Sequence, residues 1–158
     1  MLAWKDFLED IIIPTLKHLS LDGDSARRLI LGTAVHESTV GNNTHLKQQA
    51  GPALGVFQIE PLTAADVWGS FLKYRPELRR KVEDLVSPYP GQDAQLQGNL
   101  FYATAICRIV YYRRKEPIPA ADDLKGLAMY WKQFYNTPLG KGSPKDWIEH
   151  FVIVKDLF

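Results

Sequence analysis

The chain has 158 residues, a length that fits one domain around a single hydrophobic core. Hydrophobic residues make up 46% and charged residues 23%, an ordinary globular balance that excludes extended disorder. The 19 basic and 18 acidic residues leave a net charge of +1, so the basic excess of nucleic-acid-binding proteins is missing. The single cysteine, Cys107, excludes a disulfide framework within the chain.

In chain order, the first predicted element is an amphipathic helix over residues 2–19, where apolar residues recur at spacings of three and four. Pro14 lies within this helix and predicts a kink or a break. A turn then leads into a second helix over about residues 25–38, with Asp24 or Ser25 as its N-cap. Residues 41–43 (Gly-Asn-Asn) end it, and residues 44–61 form a long irregular segment of the kind that is often functional.

Further helices are predicted over residues 63–72, 76–86, 93–115, 122–134 and 143–154, separated by loops rich in proline and glycine. Cys107 lies among apolar residues at helical spacing, so we expect a buried and inert thiol. No segment shows convincing strand pairing. The sequence therefore predicts a single, mainly α domain over residues 1–158.

The N-terminal residues carry recurring charges and lack the basic start and uninterrupted apolar run of a signal peptide. No run approaches the about 18 apolar residues that a membrane span needs. We therefore expect synthesis in the cytoplasm and no membrane span.

Glu37 has the features that suit a general acid. It follows Ile30 by seven residues and Ala34 by three, so it shares a helix side with core residues. It also lies in the last turn of its helix, where the backbone dipole disfavours a negative charge. Partial burial and the dipole both raise the pKa of a carboxyl group toward the range of a glycosidase acid.

Three separated segments carry a family resemblance. The first is Ala34-Val35-His36-Glu37-Ser38, and the second is the run ALGVFQIEPLTA at residues 53–64. The third is Tyr135-Asn136, and Asn99-Leu100 lies between them. In this order and spacing the segments resemble the lytic transglycosylases of the lysozyme superfamily, near soluble lytic transglycosylases and goose-type lysozymes. The resemblance covers about residues 29–146.

The resemblance implies a lysozyme-like helical fold with a cleft, and Glu37 as the sole catalytic carboxylate. Glu37 would protonate the glycosidic oxygen between N-acetylmuramic acid and N-acetylglucosamine. The C6 hydroxyl of the sugar would then capture the oxocarbenium-like centre, with Glu37 as base, and leave a 1,6-anhydro end. The implied partner is the glycan strand of peptidoglycan, and neither a cofactor nor a metal is implied.

The resemblance also implies a set of substrate-binding residues. Ser38 would hydrogen-bond near the acid or the acetamido group, Tyr135 would orient Glu37 through its hydroxyl, and Asn136 would fix that loop. The remaining side chains and backbone would line the sugar cleft: Phe57, Gln58 and Ile59. The sequence departs from the family pattern at Val56 and Phe57, and most of all at Thr137-Pro138, which stands for Ala-Gly and predicts a differently shaped wall.

Other enzyme classes can be compared with the same sequence. An HExxH zinc peptidase fails because Val40 stands at the second histidine, and the apolar setting of Cys107 disfavours a Cys-His amidase. Hydrolysis by a lysozyme remains open, with Asp66 or Glu60 as a possible second carboxylate.

A glycan-binding structural component of a virion or secretion apparatus also remains open. A wall-degrading enzyme without an export signal is typical of a phage product. We therefore expect other virion or secretion-apparatus proteins as possible partners, and the cell wall as the place of action.

Overall fold

Helices built around apolar stripes make up most of the computed structural model, which describes residues 3–39 and 51–158. Helix α1 comprises Trp4–Asp6, a wider π turn at Phe7–Ile12, and Ile13–His18. Helix α2 is Asp24–Thr39. Helix α3 runs from Pro61–Asp66 through a π turn at Val67–Phe71 to a 3-10 turn at Leu72–Tyr74. The later helices are α4 (Pro76–Glu83), α5 (Gln92–Gly98), α6 (Leu100–Tyr112), α7 (Leu124–Trp131, continued by a π turn at Lys132–Asn136) and α8 (Pro144–Phe151), followed by a 3-10 turn at Lys155–Leu157.

The prediction of a mainly α chain is confirmed for the described residues. Within them the one β interaction is an isolated bridge between Leu54 and Ile59. No helix in the described ranges combines the length and apolar character that crossing a membrane requires. The predicted helix end at Gly41-Asn42-Asn43, Val40, and the first part of the predicted irregular segment lie outside the described residues.

Pro14 does not break the first helix. Proline lacks an amide hydrogen and crowds the carbonyl four residues earlier, which disrupts a regular α turn. Here the preceding turn is widened, and the N–H of Ile13 bonds to the carbonyl of Leu8, five residues back. The wider turn lets the helix continue through the proline, so of the predicted kink or break, the break does not occur.

The predicted long helix over residues 93–115 is two helices. Gly98 ends α5, and Asn99 adopts an extended conformation before α6 begins. The Asn99 side chain accepts a hydrogen bond from the N–H of Tyr102 at 3.1 Å, which is an N-cap. The prediction was wrong because the apolar stripe continues through this point, while glycine and asparagine interrupt the backbone.

Helix α2 lies in the core and packs against α6, α7 and α8. Gly32 permits the crossing with α8, since a Cβ atom there would lie 2.2 Å from the Trp147 ring. Cys107 on α6 is fully buried, as predicted, and burial raises the pKa of its thiol well above 9.0. This packing fixes the C-terminal end of α2, which carries Glu37, against the end of α7.

Candidate active site

Glu37 lies in the last turn of α2 at the floor of a cleft of about 410 Å³. Ile30 and Ala34, on the same side of the helix, are fully buried, whereas Glu37 is partly exposed to the cleft. An adjoining pocket of about 310 Å³ extends the cleft. The two share four lining residues: Gln58, Glu60, Tyr135 and Asn136. Together the two pockets form one groove beside the Glu37 carboxyl group.

The Glu37 carboxyl is held by an indole. The Nε1–H group of Trp131, at the end of α7, donates to Oε1 of Glu37 at 3.0 Å. Burial raises the pKa of Glu37 from 4.5 to about 7, and the Trp131 hydrogen bond opposes part of this rise because it favours the charged form. A carboxyl group with this pKa can both give and take a proton near neutral pH.

A pair of histidines supports the Trp131 ring. His36 is 2% exposed, and its ring meets Trp131 edge-on with 4.4 Å between ring centroids. Nδ1 of His36 lies 2.8 Å from Nδ1 of His150 on α8, so one ring donates and the other accepts. Burial, and then the nearby His150, lower the pKa of His36 from 6.5 to about 4. His36 is therefore uncharged at neutral pH.

A short hairpin at residues 54–59 presents Gln58 to the cleft. Leu54 and Ile59 exchange two backbone hydrogen bonds of 3.0 Å each. Gly55 has φ +75°, and a Cβ atom there would lie 2.0 Å from the Leu96 carbonyl oxygen, so the position requires glycine. Gln58 itself has φ +48°, and its Nε2 donates to the Gly55 carbonyl at 2.8 Å.

Gln58 carries a buried oxygen atom that lacks a hydrogen-bond donor in the described part of the chain. Its Oε1 is buried and has no hydrogen-bond partner among the described residues. A buried acceptor without a donor is costly, and such groups concentrate at functional sites. Gln58 lines both parts of the cleft, so this buried acceptor lies next to the space that a bound molecule would occupy.

Tyr135 joins this hairpin to α7. Its hydroxyl donates to the carbonyl oxygen of Phe57 at 2.7 Å, and its ring stacks on Tyr111 with centroids 5.3 Å apart. Tyr135 lines the cleft with Glu37. Its hydroxyl proton goes to the Phe57 carbonyl, so the expected orientation of Glu37 by this hydroxyl is not what the structure shows. Among the described side chains, Trp131 donates a hydrogen bond to Glu37. Tyr135 thus fixes the wall of the cleft.

Lys132 shapes the loop after Tyr135. Its Nζ donates to Oδ1 of Asn136 at 2.7 Å and to the carbonyl of Gly140 at 2.7 Å. Asn136 and Gly140 both line the cleft. Thr137, between them, has φ +76° and ψ 151°, a strained pair of backbone angles that glycine normally adopts. Lys132 therefore holds a strained loop closed against the cleft.

The other predicted residues lie at different depths. Phe57 is fully buried and packs on Phe7 with centroids 5.9 Å apart, so it supports the hairpin through the core. Ile59 is 3% exposed and lines the adjoining pocket. Ser38 is buried, and its Oγ donates to the Val35 carbonyl at 3.3 Å.

The two candidate second carboxylates differ. Glu60 is exposed and lines both parts of the cleft. Asp66 accepts hydrogen bonds from Arg113 at 2.6 Å and from Ser70 at 2.8 Å, and these two bonds lower its pKa. Since Asp66 lines neither part of the described cleft, Glu60 is the second acidic group of this site.

Sequence reasoning missed Trp131, Lys132 and the His36–His150 pair. Trp131 lies in an apolar helix and looks like a core residue, which it also is. The lysine precedes Asn136 by four residues, a spacing that places both on one side of a helical turn and could have indicated their contact. Nothing in the sequence links His36 to His150.

Within the described ranges no group of three or more metal-ligating side chains is close enough to hold a metal ion. Comparison with known protein families, with characterised proteins and with solved structures finds no match to this chain. The resemblance to lytic transglycosylases therefore rests on the sequence segments quoted above alone.

Proposed function

We propose that this chain is a peptidoglycan lytic transglycosylase with a lysozyme-like helical fold, in which Glu37 is the general acid and base. The observation that carries the proposal is the Glu37 carboxyl group, which lines an open cleft and has its pKa raised to about 7. That value lets the group stay protonated near neutral pH, as glycoside cleavage requires. Such an enzyme acts on the cell wall, and a phage virion or secretion apparatus is the proposed setting.

The proposed reaction uses Glu37 twice. Its carboxyl proton goes to the glycosidic oxygen as the bond from the anomeric carbon to that oxygen breaks. The C6 hydroxyl of the same sugar then bonds to the anomeric carbon and gives its proton back to Glu37, so no water is consumed. The Trp131 N–H stabilises the carboxylate that exists between the two steps.

Binding of the glycan strand is assigned to the residues around the cleft. Oε1 of Gln58 accepts from an acetamido N–H or a sugar hydroxyl, which satisfies this buried acceptor. Asn136 and the backbone near Gly140 form the opposite wall. Phe57, Ile59 and Tyr135 hold the Gln58 hairpin in place through the contacts described above, and Ser38 supports the end of α2 through its bond to the Val35 carbonyl.

The test is a digest of purified peptidoglycan by the wild type and by Glu37→Gln, with the products identified by mass spectrometry. Glutamine is nearly isosteric but has no proton to give, so cleavage falls steeply while the fold is kept. The matched control is Glu77→Gln, because Glu77 is exposed on α4 and lines neither part of the described cleft. Equal cleavage by Glu37→Gln and wild type would refute the proposal.

Hydrolysis is the second candidate function, and Glu60 favours it because a second carboxylate in the cleft can activate water. Anhydro-ended muropeptides identify the transglycosylase, whereas reducing ends about 18 Da heavier identify a lysozyme. Tight binding of glycan without cleavage by folded wild type identifies a structural glycan-binding component instead.

A further inference from the structure

A separate pocket, of about 200 Å³, lies at the C-terminal end of α6. Its lining includes the basic side chains of Arg108, Arg114 and Lys115, together with Tyr112 and Tyr130. Glu116 is the single acidic residue in this lining, so the lining side chains carry a net charge of +2 at neutral pH. The glycan cleft shares none of these residues.

Arg108 is a buried cation whose charge no carboxylate balances. The residue is 8% exposed, and its Nε donates to the Leu21 carbonyl at 3.1 Å. Its Nη1 is buried and has no hydrogen-bond partner in the described part of the chain. No carboxylate there lies within 4 Å of the guanidinium, although the face of Tyr112 lies 5.6 Å away and offers weak compensation.

Burial of an unpaired charge destabilises the folded state. Charged side chains are seldom buried without a partner, because burial removes the favourable interactions that the charge makes with water. Burial accordingly lowers the pKa of Arg108, although arginine stays charged. Tyr130 cannot donate into the pocket, since its hydroxyl donates to the Glu116 carbonyl at 2.8 Å.

We propose that this pocket is a binding site for a small phosphate-class oxyanion. A planar guanidinium presents N–H groups in a fork that matches two oxygens of such an anion. Arg114 and Lys115, both exposed at the rim, complete the charge balance for a dianion. The site stands on its own residues and does not depend on the function proposed for the cleft.

The test follows the Nε–H resonance of Arg108 by 15N NMR, and the melting temperature, while inorganic phosphate replaces chloride at constant ionic strength. Constant ionic strength removes general screening from the comparison. We expect a saturable shift of the resonance and a rise in melting temperature, because a ligand of the folded state stabilises it. A parallel titration with dimethyl phosphate distinguishes sources: tighter phosphate binding indicates the free ion, and tighter diester binding indicates a polymer phosphodiester.

Two variants make the test decisive. Arg108→Met should abolish the phosphate-dependent rise in melting temperature. The double variant Arg114→Gln/Lys115→Gln changes only exposed residues and should weaken phosphate binding about tenfold or more, as loss of charge-assisted hydrogen bonds does. The matched control is Lys73→Gln/Arg80→Gln, two exposed cations elsewhere. Absence of saturable binding by wild type, or equal binding by the double variant, would overturn the proposal.

Discussion

The indole N–H of Trp131 donates to the carboxyl of Glu37 across a separation of 94 residues in the chain. Both side chains lie at the ends of their helices, Glu37 on α2 and Trp131 on α7. The contact fixes one carboxyl oxygen and leaves the group partly open to the cleft. It also acts on the proton affinity of Glu37, in the direction opposite to burial.

Trp131→Phe should raise the pKa of Glu37 above its value of about 7. The hydrogen bond favours the carboxylate, so its loss favours the protonated form. The basic limb of the pH profile of kcat/KM for peptidoglycan should therefore move to higher pH. The maximal rate should fall roughly ten- to a hundredfold, because the carboxyl loses its orientation.

The control for this substitution is Trp68→Phe, whose indole donates to the Tyr102 hydroxyl at 3.0 Å away from the cleft. It removes the same chemical group and should leave the pH profile unchanged. A profile that shifts equally in both variants, or in neither, would contradict the role given to Trp131.

Glu37→Gln should stabilise the protein above neutral pH. The folded-state pKa of Glu37 is raised from 4.5 to about 7, so the folded state holds a proton that the unfolded state releases between these values. Wild-type stability therefore falls as pH rises through this window, by on the order of 2–3 kcal/mol. Urea unfolding at several pH values should show the variant gaining on wild type from pH 4.5 to about 7, with a constant difference above this range.

His36→Asn should reveal the opposite slope. The folded-state pKa of His36 is lowered from 6.5 to about 4, so the unfolded state takes up a proton first as pH falls. Its contribution to stability is present above pH 6.5 and is lost toward pH 4. Wild type should therefore lose stability relative to His36→Asn over this range in the same urea series. A constant difference in unfolding free energy between the two proteins would contradict the lowered pKa of His36.

Lys132→Met should raise KM for glycan strands about tenfold with a smaller change in kcat, since it frees the loop and leaves Glu37 in place. The variant loses both bonds that Nζ makes, to Asn136 and to Gly140. Its unfolding free energy should fall by about 1–2 kcal/mol. Lys155→Met, at an exposed site, is the control. A fall in kcat alone would contradict a positioning role.

Gly55→Ala should destabilise the protein by about 3 kcal/mol or more, because of the positive φ and the clash with the Leu96 carbonyl. Gly69→Ala is the matched control: the glycine is exposed in the π turn of α3, and a Cβ atom there meets nothing within 4 Å. It should be neutral or slightly stabilising. Equal melting temperatures for the two variants would contradict the hairpin geometry.

The sequence allowed prediction wherever one local pattern decided the outcome. The spacing of Glu37 from Ile30 and Ala34 predicted that these residues share a side of α2, and in the structure both are fully buried while Glu37 is partly exposed. The break at Asn99 was missed because hydrophobic periodicity outweighs a two-residue backbone signal. The partners of Glu37 were missed because they depend on how helices far apart in the chain pack together, which no local pattern encodes.

The Glu37 carboxyl group acquires its raised proton affinity only when the folded chain buries it. Before that, Glu37 is an ordinary glutamate with a pKa near 4.5, ionised at neutral pH and without a proton to give. A nascent, truncated or partly folded chain therefore lacks the protonated carboxyl group that the proposed mechanism requires. If the proposed function holds, the chain becomes able to cleave glycan only once synthesis and packing are complete.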